Sequence, residues 1–358
     1  MLSEIFAKID AGQELSRDDL ISLLQVEDNG CLEELFRKAD RIRRENVGDE
    51  IHLRGLIEFS NYCRKNCNYC GIRAGNRNLQ RYRMEEGEIV ATAVQAEQLG
   101  YRTVVLQSGE DPFYTVSKLI NIIEQIKEKT DLAITLSIGE RPRQEYEQFF
   151  AAGADRFLLR FETSNPVLYK RLHPDSDYQS RMNALVWLKE IGYEVGSGIM
   201  IGLPGQTVEN LADDILTFKN MDLDMIGVGP YICHQDTPLA GSPDGTVEMT
   251  FKVIALTRIV TGNTHIPATT ALATLRPADG REKALELGAN VMMPNVTPVK
   301  YRAMYELYPA KVCIGEDARQ CRGCMQRRIY SLNRPISREH GRSPKMSRIN
   351  LTAADLVR

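Results

Sequence analysis

Three cysteines stand in the segment Cys63-Arg64-Lys65-Asn66-Cys67-Asn68-Tyr69-Cys70. The spacing CxxxCxxC brings three thiolates onto one loop, where they can wrap three corners of a cubane iron–sulfur cluster. Such clusters usually take four cysteines, and no fourth follows nearby, so one iron is left open for a substrate. A structural zinc is the alternative, but it closes with four ligands. The nearest histidine, His52, lies at the far end of the strand that precedes the loop. A second group, Cys313, Cys321 and Cys324, can hold another cluster or a zinc and leaves one ligand unnamed. Cys31 and Cys233 stand alone and read as inert small residues.

The rest of the chain has to support that chemistry. Its 358 residues are 43% hydrophobic and 26% charged, an ordinary globular balance with enough length for one large α/β barrel or two domains. A net charge of -3 and the lack of a basic run give no electrostatic case for nucleic acid. No apolar stretch approaches the roughly 18 residues that span a bilayer. The opening Met1-Leu2-Ser3-Glu4 reads as an amphipathic helix start and not as a signal peptide. A cytoplasmic protein with no membrane partner is expected, and clustered cysteines in a reducing compartment are metal ligands.

Helical periodicity fills residues 1–50, with Leu20, Leu23 and Leu24 on one apolar face and Leu32, Leu35, Phe36 and Ala39 on another. Ser16 is the expected N-cap. From residue 51 short β-rich runs alternate with helical segments. Strands are expected at 51–59, 103–106, 132–136, 156–160, 194–201, 225–228, 266–270 and 290–293, with helices between them, for example at 87–99, 114–127, 181–191 and 208–221. Eight βα units argue for an α/β fold of the complete (β/α)8 TIM-barrel type, against an open doubly wound sheet. The expected organisation is an N-terminal helical cap at 1–50, the barrel at 51–308, and a C-terminal cysteine-bearing extension at 309–358. Its end, 337–358, reads as polar surface.

Active sites of such barrels lie at the C-terminal ends of the strands, and the unusual residues gather there. The cysteine loop follows strand 1, Gln107-Ser108-Gly109-Glu110-Asp111-Pro112 follows strand 2, and Ser137-Ile138-Gly139-Glu140 follows strand 3. Arg160 and Glu162 follow strand 4, and Gly202-Leu203-Pro204-Gly205 follows strand 5. Barrel interiors normally fill with Val, Ile and Leu. Arg160 with Thr135, Thr269 and Thr270 therefore suggests a pocket for a small anionic guest, closed by Met293 and Tyr305. Residues 160 and 162 share a strand face, so an Arg160–Glu162 pair is the competing reading.

At the cysteine loop the sequence resembles the radical S-adenosylmethionine (SAM) superfamily, whose pattern CxxxCxφC has an aromatic at φ, here Tyr69. The resemblance implies a [4Fe-4S] cluster on Cys63, Cys67 and Cys70 whose open iron chelates SAM, and cleavage of SAM to a 5′-deoxyadenosyl radical. It places Tyr69 by the adenine and Gln107 and Ser108 by the methionine amino group. Ser137 and Glu162 become polar contacts, and Arg181 a bidentate partner of the carboxylate. Met200, Ile201 and Leu203 flank the adenine. For Arg181 a surface ion pair is the alternative.

Further strings narrow the resemblance: Ile57-Glu58-Phe59-Ser60-Asn61-Tyr62-Cys63, Leu106-Gln107-Ser108-Gly109-Glu110-Asp111-Pro112, Ile201-Gly202-Leu203-Pro204-Gly205-Gln206-Thr207, Ile266-Pro267-Ala268-Thr269-Thr270 and Met293-Pro294-Asn295. They are similar to the HydE family of [FeFe]-hydrogenase maturases, in the branch of biotin synthase and methylornithine synthase. That implies a cysteine-bound Fe(CO)2(CN) precursor as substrate, other hydrogenase maturases as partners, and a reductant such as ferredoxin or flavodoxin. It also matches Cys313, Cys321 and Cys324 to an auxiliary [2Fe-2S] or [4Fe-4S] cluster found in many members and absent from some. Two rival readings are a radical SAM mutase or synthase of the same branch acting on a free amino acid, and a non-enzymatic iron–sulfur carrier.

Overall fold

The computed structural model describes residues 2–345. Fourteen helices run in order as α1 (Leu2–Asp10), α2 (Arg17–Leu24), α3 (Asn29–Val47), α4 (Glu86–Gln98), α5 (Val116–Lys129), α6 (Arg143–Ala151) and α7 (Pro166–Leu172), then α8 (Tyr178–Ile191), α9 (Val208–Asn220), α10 (Val247–Thr261), α11 (Thr270–Leu275), α12 (Gly280–Glu286), α13 (Val299–Arg302) and α14 (Ala318–Ser331). Ser16 caps α2 as expected. Its hydroxyl accepts from Asp19 N–H at 3.1 Å while the Asp19 carboxylate accepts from Ser16 N–H at 2.9 Å, which satisfies two otherwise orphaned donors. Leu20, Leu23, Leu24, Leu35 and Ala39 are fully buried, and α2 and α3 lie against α9 and α10 in one continuous core.

The strands are β1 (His52–Ser60), β2 (Thr103–Ser108), β3 (Ala133–Ser137), β4 (Arg156–Leu158), β5 (Glu194–Ile201), β6 (Met225–Pro230), β7 (Pro267–Ala268) and β8 (Val291–Met292). They pair in parallel in the order β6-β5-β4-β3-β2-β1-β8-β7. This is the α/β barrel, nearly closed. Between β6 and β7 only the bridge Met225↔His265 joins the edges, through His265 N–H to Asp224 O at 3.0 Å and Ile226 N–H to His265 O at 2.9 Å. Pro267 has no N–H to continue that ladder, and Thr269 turns away to cap α11.

Alternate strand residues point inward, and the lowest inward layer is polar. Arg156 donates to Glu194 Oε2 at 2.7 Å and to Thr103 Oγ1 at 3.1 Å, all three fully buried. The part of the C-terminal segment within the described residues completes this floor and is polar surface only in part, with Arg338, Glu339 and Arg342 exposed. His340 O accepts from Arg156 at 3.0 Å and from Thr103 at 2.8 Å, Gly341 O from Arg156 at 3.1 Å and from Arg54 at 3.3 Å, and Ser343 N–H donates to Glu194 at 3.0 Å. Ser337 and Ser343 are buried. Residues 346–358, included in the same expectation, lie outside the described residues. No helix among the described residues is long and apolar enough to cross a membrane.

Candidate active site

The cysteine loop leaves the C-terminal end of β1 and is pinned by the segments after β2, β4 and α13. Arg64 N–H donates to Glu110 O at 3.0 Å, Asn68 N–H to Leu172 O at 2.8 Å and Gly71 N–H to Leu307 O at 2.9 Å. Side chains repeat the pattern: Arg64 pairs with Glu110 at 3.1 Å, and Lys65 donates to Ser176 at 2.9 Å. Glu110 also accepts from Glu140 N–H at 2.9 Å, which ties the β2 and β3 loops together. Behind the loop, Asp111 takes Arg83 bidentately at 2.7 and 2.9 Å and Ser60 at 2.7 Å. Gly71 and Gly109 sit where a Cβ would run into the backbone of Glu306 and Tyr62, so close approach dictates both glycines.

Cys63, Cys67 and Cys70 are free and half-buried. Burial raises all three thiol pKa values, Cys70 to about 12, and each of Cys67 and Cys70 is raised further by neighbouring cysteine sulfurs. Neighbouring thiolates repel one another, and a bound multiply charged cation would favour their ionising together. Cys63 Sγ already accepts two backbone N–H groups, from Lys65 and Glu110, each at 3.4 Å, which favours its ionised form. Among the described residues no three His, Cys, Asp or Glu side chains converge as a single-ion site. A donor set of three cysteines on one loop fits an iron–sulfur cluster with one unligated corner.

Beside the loop a small apolar cluster joins Tyr69, Met200 and Leu203 with Leu168, Leu172 and Tyr231. Ile201, expected with them, turns its side chain into the main core, while its carbonyl accepts from Tyr231 N–H at 2.8 Å. Gln107 donates to the Tyr305 hydroxyl at 3.3 Å, and Ser108 to Gly109 O at 2.7 Å. Ser137 lies beside Gln107 in register at the end of β3. Arg181 is buried and donates to Glu140 at 2.6 Å and to Arg160 O. Burial, the largest single influence, works against its charge, but Glu140 together with Tyr169 and Tyr69 raises the pKa on balance. Its ion pair is therefore internal and not at the surface.

Arg160 and Glu162 do pair, at 2.9 Å, with Glu162 held at φ +63. The Glu162 pKa is raised by burial and pulled back by Arg160 and then Arg181. Arg160 Nε, Glu162 Oε2 and Thr135 Oγ1 are buried without an aligned hydrogen-bond partner. Thr269 faces Gly229 across the β6–β7 seam, whereas Thr270 accepts from Arg281 at 3.2 Å. Tyr305 is buried beside Glu58, and Met293 is half-buried just past β8.

Cys313 follows α13, and Cys321 and Cys324 lie on the first turns of α14. Cys321 donates to Cys313, and Arg281 approaches Cys313 Sγ at 3.8 Å. Both contacts lower the Cys313 pKa. Sequence reasoning assigned no role to Glu58, which is fully buried and accepts from Asn295 at 2.8 Å and from Lys311. Glu110 and Glu140 stood in strand-end motifs and could have been read as loop anchors. The Glu58–Lys311 pair carried no sequence signal.

The model of the radical SAM superfamily matches residues 57–218. The chain is 51% identical to the [FeFe] hydrogenase maturase subunit HydE of Thermotoga maritima over 338 residues, 94% of this chain and 96% of that one. It is 30% identical to a 3-methylornithine synthase of Methanosarcina acetivorans over 80% of this chain and 81% of the relative. The crystal structure of methylornithine synthase (PylB) superposes with a TM-score of 0.81 at 26% identity, covering 93% of this chain and 97% of that one.

Proposed function

The chain belongs to the radical SAM superfamily and, within it, to the HydE family, and on that premise we propose that it matures [FeFe]-hydrogenase by acting on a cysteine-bound Fe(CO)2(CN) precursor. The observation that carries this reading is the trio Cys63, Cys67 and Cys70 at the barrel mouth, in a chain so similar to HydE along its length. Bound there, a [4Fe-4S] cluster and SAM supply a 5′-deoxyadenosyl radical. The chain's own residues hold and orient. Gln107, Ser108, Ser137 and Glu162 meet the polar end of SAM, Arg181 meets its carboxylate, and Tyr69, Met200 and Leu203 with the Ile201 backbone shelter the adenine.

Arg160, Thr135, Thr269, Thr270, Met293 and Tyr305 form the substrate pocket in this reading. Support comes from two buried donors without partners, Arg160 Nε and Thr135 Oγ1. Unpaired buried donors are costly, and the carboxylate and cyanide acceptors of the precursor would satisfy them. Because Glu162 balances Arg160, the pocket relies on hydrogen-bond donors more than on net positive charge. Cys313, Cys321 and Cys324 hold an auxiliary [2Fe-2S] or [4Fe-4S] cluster on the extension 309–358, outside the barrel at 51–308, which the helical cap 1–50 flanks. Other hydrogenase maturases and a ferredoxin or flavodoxin in the cytoplasm are the partners.

One observation favours the amino-acid reading. The Arg160–Glu162 pair offers both a carboxylate partner and an amine partner, and a methylornithine synthase is among the relatives. Deleting the gene in a host that makes [FeFe]-hydrogenase separates the two. The maturase reading expects inactive hydrogenase, restored by the wild-type chain. Full hydrogenase activity in the deletion strain, or rearrangement of a free amino acid by the purified protein, would replace it with the mutase.

A further inference from the structure

His173 is the C-cap residue of α7, and at 1% exposure it is sealed from solvent. Its Nδ1 lies 3.1 Å from Tyr169 O, and a carbonyl can only accept, so Nδ1 carries the proton. Burial, reinforced by Arg181 nearby, lowers its pKa to about 3, so the ring is neutral and Nε2 keeps a lone pair. That lone pair faces the Tyr69 hydroxyl at 3.1 Å, and Tyr69 must donate. The imidazole stacks on Tyr169 at 4.2 Å and meets the Tyr69 ring edge-on at 5.4 Å. Its tautomer and plane are thus set before it meets Tyr69. The Asn68 backbone is anchored to the same α7 end, by N–H to Leu172 O.

We propose that His173 is a positioning residue for SAM: it fixes the Tyr69 ring, the aromatic of the cluster loop, in the plane the adenine packs against. This rests on the placement of Tyr69 by the adenine. The ring sits on a loop between two cluster cysteines, and its own apolar neighbours, Leu168, Leu172, Leu203 and Tyr231, restrain it without directing it. A directional hydrogen bond supplies the missing constraint. The same α7–α8 region holds Arg181, so both ends of one SAM molecule are referred to a common support.

The test is a double-mutant cycle read by SAM affinity on anaerobically cluster-loaded protein. His173→Phe keeps the ring and removes the acceptor, leaving the Tyr69 hydroxyl buried and unpaired. SAM affinity should fall about tenfold, with the SAM-induced change in the reduced-cluster EPR signal saturating at correspondingly higher SAM. KM for SAM in cleavage should rise with kcat little changed. In a Tyr69→Phe background the same substitution should cost nothing further, and His173→Gln, whose amide oxygen can replace Nε2, should bind nearly as well as wild type. Wild-type affinity in His173→Phe, additive penalties, or a Gln variant as weak as the Phe variant overturns the proposal. If His173→Phe does not load its cluster, Tyr69→Phe and His173→Gln carry the comparison: weakened binding in the first alone supports it, and any other pattern refutes it. Failure of wild type to bind SAM would instead defeat the underlying placement.

Discussion

Arg160→Met would isolate the charge pair inside the barrel mouth. Methionine keeps much of the side-chain volume and removes the cation 2.9 Å from Glu162. Burial already raises the Glu162 pKa above the ordinary 4.5, and Arg160 is the largest influence pulling it back, so the variant's carboxyl rises further. A carboxyl that holds its proton more tightly when folded loses stability as pH climbs from the unfolded value through the folded one. The variant's extra penalty should therefore be smallest below the ordinary 4.5 and grow as pH climbs through the raised folded value. Removing one partner of a fully buried pair costs about 3–5 kcal/mol, and of an exposed pair about 0–1 kcal/mol. Arg160 is 29% exposed and Glu162 9%, and Arg181 remains. A pH-dependent penalty of about 1–2 kcal/mol follows, read in a chain of this length as a Tm deficit about 1–3 °C larger at pH 8 than at pH 4.5. Anaerobic scanning calorimetry measures it, and Glu162→Gln in the variant background should recover most of it. An equal deficit at both pH values, or no recovery with Gln, would refute the reasoning.

Replacing any one of Cys63, Cys67 or Cys70 by Ala should abolish 5′-deoxyadenosine formation, measured chromatographically after anaerobic reduction; undiminished product would sink the cluster assignment. Triple replacement of Cys313, Cys321 and Cys324 should leave that product largely intact, since these residues lie on α14 and the segment that leads into it and not on the cluster loop; a loss equal to Cys63→Ala in folded protein would make the second site catalytic. Glu140→Gln should weaken the Arg181 anchor at 2.6 Å and raise KM for SAM severalfold with kcat little changed; an unchanged KM would show that Arg181 needs no such anchor. Ending the chain after Ile336 strips the buried Arg54 and Arg156 of carbonyl partners, at about 1–3 kcal/mol for each group left unpaired. An unaltered Tm in that truncation would show that water can replace the segment.

Local signals made much of this molecule legible. β5 runs from Glu194 to Ile201 as expected, because the left-handed Gly192 and the turn at Gly202 mark both its ends. β4 ends two residues short of the expected run 156–160, and the expected run 266–270 narrows to Pro267–Ala268 because Thr269 is spent on capping α11. The helix expected from 181 begins at Tyr178, since Asp177 is its N-cap. At the site, the tight cysteine motif and the strand-end glycines announced the mouth. What joins them did not show, because Glu58–Lys311, Asp111–Arg83 and Arg181–Glu140 are pairs of distant residues that leave no period in the sequence. The polar floor was hidden for the same reason. Its partners are backbone carbonyls of residues 340 and 341, and a carbonyl has no sequence signature.

That floor also orders events in time. Thr103 meets its carbonyl 237 residues further on, and Arg54 meets its own 287 residues further on. Contacts so distant along the chain form late, because loop closure must precede any gain from them. A nascent chain can lay down β1 to β5, with Arg156 already on Glu194 and Thr103, before residues 340 and 341 bring the carbonyls that Arg54 and the remaining Arg156 nitrogen meet. Synthesis at about 5–20 residues per second leaves that end open for several seconds. Closing this end of the barrel thus waits until residue 341 has been made. A product broken off before residue 340 lacks the carbonyls that Thr103, Arg156 and Arg54 meet, so their donors turn to water or stay unpaired.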